Sequence, residues 1–80
     1  MAPGRAGGYL RGMAWYEFKD FERSAGGPGR LVDAAVFEAA DEDAAKGEAS
    51  RRTRALPPGH FGLLLDSDGK QLDVQDSPNA

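Results

Sequence analysis

Few residues in this 80-residue chain are of a type that does chemistry. The one histidine, His60, lies in LPPGHFGLLLDSDGKQLDV (56–74), a stretch that also holds Asp66 and Asp68 just ahead of Gly69. Two site chemistries come to mind, a calcium loop and a histidine-assisted centre. An EF-hand-type loop needs oxygen ligands at positions 1, 3 and 5, Gly at 6 and Glu at 12. Setting Gly69 at position 6 places Asp68 and Asp66 correctly, but position 1 falls on Leu64 and position 12 on Gln75. Asp and Gly are also what a tight turn requires for its own backbone. The stretch therefore reads as a turn, with no metal.

A catalytic histidine needs a nucleophile or an orienting carboxylate, and a metal site usually needs two or more strong ligands. The hydroxyls available, at Ser24, Ser50, Thr53, Ser67 and Ser77, stand in polar or loop contexts, with no G-x-S-x-G elbow. AGGPGR (25–30) has glycines but neither phosphate-loop nor dinucleotide spacing. A chain this short also has little volume for an enclosed pocket beside a core. The expectation is a protein that is not an enzyme and carries no cofactor.

Two features remain that suit binding. RRTR contributes Arg51, Arg52 and Arg54, three guanidiniums able to grip phosphates or an acidic partner. The plainer account is that they complement a helix C-terminus and pair with Glu48. The other feature is Trp15 within GMAWYEFKDFE (12–22). Tyr16 and Phe18 share one face of a strand there, and Trp15 lies on the other with Glu17 and Lys19. Phe21 breaks the phase, which predicts a bulge or strand end near Asp20.

These side chains need elements to hold them. After the aromatic strand, RSAGGPG (23–29) reads as a loop. Leu31, Val32, Val36 and Phe37 favour a strand over about 31–39. Asp41, Glu42 and Asp43 then announce a helix: Asp41 as N-cap, with acids in the first turn. Arg51, Arg52 and Arg54 complement its far end, and Pro57-Pro58-Gly59 stops it, which gives a helix over about 41–55. Glu42–Lys46 and Glu48–Arg52 are i,i+4 pairs in the favourable order. The apolar face is thin, consisting of Ala45, Ala49 and Leu56, so this helix depends on packing. Two alternating runs around DSDGK (66–70) form a hairpin, with Gly69 supplying a positive φ.

The expected fold is α+β: a small four-stranded antiparallel sheet with one helix on one face, in the order ββαββ. Residues 1–11 are expected to be a disordered N-terminal arm, 12–75 one domain and 76–80 a disordered tail. With no cysteine, disulfides and thiolate zinc sites are excluded. No apolar run approaches the roughly 18 residues of a membrane span, and no secretory h-region opens the chain. A cytoplasmic location is expected.

Net charge is −3, and its sign alternates by segment: five basic and three acidic residues in 1–30, one and six in 31–50, three and none in 51–63, one and four in 64–80. That excludes a uniformly basic nucleic-acid footprint. If Tyr16, Phe18, Phe61, Leu63, Leu65, Leu72 and Val74 meet the helix, then Trp15, His60 and Leu64 lie on the uncovered face, near Phe37, as a partner-binding patch. The functional expectation is a small non-catalytic protein-binding module, an adaptor or an inhibitor that occludes a surface of a larger partner. A bacterial or phage-type inhibitor of a host defence complex and a homodimerising accessory protein are two versions of it. The alternative is a nucleic-acid-binding protein that uses Arg51, Arg52 and Arg54 with the aromatic strand.

Overall fold

The structure, a computed structural model, describes residues 13–24 and 27–80. The arm expected at 1–11 lies outside them. The elements are β1 (Ala14–Ser24), β2 (Gly27–Ala39), α1 (Glu42–Arg54), β3 (His60–Asp66) and β4 (Gln71–Asp76). They form one antiparallel sheet in the order β2-β1-β3-β4 with α1 on one face, the expected ββαββ fold. β1 and β2 make the first hairpin, and β3 and β4 make the second. Because β2 and β3 both run antiparallel to β1, they are parallel to each other, and α1 supplies the crossover between them.

The helix begins and ends for local reasons. Ala44 N–H donates to Asp41 Oδ1 at 2.8 Å, so Asp41 is the N-cap. Lys46 pairs with Glu42, and Arg51 and Arg52 both pair with Glu48. Ala45, Ala49 and Thr53 are its buried stripe. Thr53 is a polar residue in that stripe, and its hydroxyl is satisfied by donation to the Ala49 carbonyl at 2.8 Å.

Beneath the helix lie Tyr16, Phe18, Phe37, Ala39, Leu56 and Leu64. Tyr16 and Phe37 stack with ring centroids 6.0 Å apart. Small helix residues allow a close approach, and the sheet matches them with Gly62. A methyl at Gly62 would overlap the Phe18 ring and stand 2.9 Å from Thr53 Oγ1.

Two local expectations are corrected, and a third is met. The loop expected over 23–29 is largely strand, because β1 runs to Ser24 and β2 begins at Gly27. Gly29 explains part of this: a Cβ there would stand 2.8 Å from the Phe61 ring, so the glycine makes room within the sheet. The register slips between Asp20 and Phe21, as the phase break predicts. The C-terminal residues are tied down rather than frayed. Asp76 ends β4, Ser77 N–H donates to the His60 carbonyl at 2.9 Å, and Asn79 Nδ2 donates to the Leu56 carbonyl at 2.7 Å.

Candidate functional site

Paired residues across an antiparallel ladder share a face, so the register decides which side chains the helix covers. Phe18 is opposite Leu64, and both are buried; Leu64 is 1% exposed. Lys19 is opposite Leu63, Glu17 opposite Leu65 and Phe21 opposite Phe61, all on the face away from the helix. This corrects the expected phase of β3 by one residue. Leu64 is core, and Phe61, Leu63 and Leu65 line the uncovered face. In β4 a slip between Leu64 and Leu65 lets Leu72 pack on the core while Val74 turns outward.

His60 also leaves the proposed patch. It lies on the helix side, where its Nδ1 meets Asp20 Oδ1 at 2.7 Å with both side chains mostly buried. The pair clamps β1 to β3 on the diagonal. It has the outline of a histidine with an orienting carboxylate, but neighbouring hydroxyls are committed elsewhere: Thr53 to the Ala49 carbonyl and Ser77 to the Leu56 carbonyl. Beside it, Arg30 binds Glu22. That guanidinium, by its hydrogen bond and then by its charge, holds the Glu22 carboxyl below the usual carboxylate range. A small groove of about 210 Å³ runs past Asp20 and Asp33 to Arg52 and Leu56. Among the described residues no group of three or more His, Cys, Asp or Glu is placed to hold a metal ion.

Trp15 is where the alternation puts it, on the face opposite the helix and 54% exposed. Its surroundings are Val36 (62% exposed), Glu17 and the turn after β3, which together line an open cleft of about 280 Å³. Further along the same face stand Leu63, Leu65 and Val74. The far end holds Phe21 stacked on Phe61 at 5.2 Å, with Arg23 over the Phe61 ring at 4.6 Å and Leu31 49% exposed. The sequence reading missed Val36, Phe21 and Leu31 as members. The signal was present: Val36 and Leu31 are large apolar residues on an edge strand whose partners face away from the helix.

The arginine cluster lies elsewhere. Arg52 stacks over Phe37 at 5.0 Å and is bonded to Glu48, and Arg51 shares that glutamate. Both belong to the helix, on the side of the sheet opposite Trp15. A ligand lying flat on the aromatic strand cannot also reach them. On the open face, the described basic residues are Lys19 and Arg23, set among Glu17, Glu38 and Asp76, and Arg23 is paired with Asp76. No helix among the described residues is long and apolar enough to cross a membrane. Comparison of the chain with family models, with curated proteins and with solved structures finds no match.

Proposed function

We propose that this protein is a non-catalytic protein-binding module that works through the uncovered face of its sheet. One observation carries the reading. A single helix covers one side of a four-stranded sheet, and the other side carries apolar side chains on every strand, among them the exposed Trp15, Val36, Leu31 and Val74, with Glu17 and Lys19 between them. Large apolar side chains gathered on one exposed face and rimmed by polar residues commonly mark an interaction surface. Trp15 at one end and the Phe21–Phe61 stack at the other supply the aromatic anchors that dominate interface energetics. A flat sheet face can cover a protein surface, that of a larger partner as in an adaptor or occluding inhibitor or that of a second copy, but cannot enclose a substrate.

The test uses the tagged full chain and its Trp15→Ala variant as baits in a lysate of the source cells, with mass readout for protein and nucleic acid. A protein retained by the wild type and lost with Trp15→Ala supports the reading. Equal recovery by both baits overturns it. Recovery of nucleic acid that disappears with Arg51→Ala and Arg52→Ala, and with rising salt, would favour a phosphate-binding role instead.

A further inference from the structure

The open face is self-complementary, and we infer that its occupant is a second copy of this chain, packed face to face as a two-fold symmetric dimer. The inference rests on reading this face as an interface. At its centre, on β1, are Glu17 and Lys19, one pleat apart. Across the ladders, Glu17 has Val36 and Leu65 as neighbours, and Lys19 has Ala34 and Leu63. A two-fold axis lying in the plane between two such faces, across the strands at the level of Phe18, reverses the strand direction. It therefore sets Glu17 of each copy over Lys19 of the other. The same operation sets Leu63 over Leu65, Ala34 over Val36, and Trp15 over Phe21.

The charges select this partner. Among the described residues, Glu17 and Lys19 have no ion pair or hydrogen bond from their side chains, and both are partly buried among apolar neighbours. An apolar partner would strip water from an acid and a base and return nothing. A second copy returns one counter-charge to each, twice over, as an isologous interface requires. Stacked sheets rotate by about 30° and sit about 10 Å apart. Pairs close to the axis move little under that rotation, so the two central ion pairs survive it. Four strands about 4.8 Å apart and roughly 20 Å long present a face of roughly 400 Å² in projection. Two of them bury on the order of 1,000 Å² of accessible surface, the low end for a specific interface. An interface of this size suits a reversible dimer.

Sedimentation velocity of the full chain from about 2 to 500 μM reads the equilibrium against the 8.5 kDa monomer. Glu17→Lys alone and Lys19→Glu alone each place like charges at the centre and should weaken the dimer at least tenfold. The double variant Glu17→Lys with Lys19→Glu should restore it to within about threefold. An equimolar mixture of the two single variants should form a heterodimer tighter than either homodimer, because each chain then meets the opposite sign. Circular dichroism checks that the variants remain folded. A variant-free measurement stands beside these. In a mixture of labelled and unlabelled wild-type chains, an intermolecular Overhauser contact should join the Trp15 indole to the Phe21 ring. Within one strand these residues are about 20 Å apart, too far for such a contact. A chain that stays monomeric at 500 μM, or a dimer indifferent to the charge reversals and lacking that contact, overturns the inference. If a monomeric chain still captures another protein in a Trp15-dependent way, the binding reading stands and only the second copy is excluded.

Discussion

Trp15 and Tyr16 are consecutive residues on opposite sides of one sheet. The Tyr16 ring stacks on Phe37 under the helix, and the Trp15 indole is half exposed on the uncovered face. Tyr16→Ala should therefore cost about 3 kcal/mol or more, as large aromatic truncations in a core do. In a domain this small that is most of the available stability. Trp15→Ala should change the stability of the isolated chain by less than about 1 kcal/mol. Urea titrations followed by circular dichroism separate the two. A Trp15→Ala variant as unstable as Tyr16→Ala would place the indole in the core.

The same contrast recurs in LLL (63–65). Leu64→Ala should cost about 2–5 kcal/mol. Leu63→Ala and Leu65→Ala should cost clearly less in the monomer. Gly62→Ala should destabilise by about 1–3 kcal/mol, because its methyl must displace the Phe18 ring. Equal costs at residues 63, 64 and 65 would contradict the register of β3 against β1.

Much of this architecture was legible in the residues. Asp41 with the acids after it marked the helix start, the arginines and Pro57 marked its end, and the Asp20–Phe21 phase break became a register slip. The face of β3 was not legible. Phe61, Leu63 and Leu65 alternate with His60, Gly62 and Leu64, and a strand apolar on both sides gives alternation no preferred sign. The deciding fact is non-local. Leu64 pairs with Phe18, and only Gly62, next on that face, leaves room for the Phe18 ring under the helix. A larger residue count on one side argued for the wrong face, because the uncovered side of β3 is itself apolar. The patch consequently kept Trp15, lost His60 and Leu64, and gained Val36, Phe21 and Leu31.

Glu22 and Arg30 predict a small pH effect with a definite sign. The folded state lowers the Glu22 carboxyl, so its contribution to stability is present above the unfolded-state value and is lost as pH falls through the folded-state value. A carboxyl-detected titration should find the Glu22 midpoint below the ordinary glutamate range, and Arg30→Ala should raise it. The stability difference between wild type and Arg30→Ala should vanish in acid and shrink with salt, since the pair is exposed. A Glu22 midpoint unmoved by Arg30→Ala would show that the ion pair does not persist in solution.

The turn after β3 supplies the last expectation, about Asp66 and calcium. Asp66 Oδ1 accepts from the N–H groups of both Asp68 and Lys70 at 2.9 Å. The Asp66 backbone closes the turn as well, its N–H donating to the Lys70 carbonyl and its carbonyl accepting from Gly69 N–H, each at 3.0 Å. Gly69 permits this with φ +83°. The carboxylate is thus committed to its own backbone, and the loop has no acid where a calcium site would need its first and last ligands. Asp66→Ala should loosen the hairpin by about 1 kcal/mol. Asp66→Asn, which keeps an accepting oxygen, should retain most of that stability. Gly69→Ala should cost about 1–2 kcal/mol through the left-handed backbone alone. Calorimetric titration with calcium should give no saturable heat. A site tighter than about 0.1 mM, within the range of physiological EF-hand loops, abolished by Asp66→Asn while the fold persists, would show that the acids serve a cation rather than the turn.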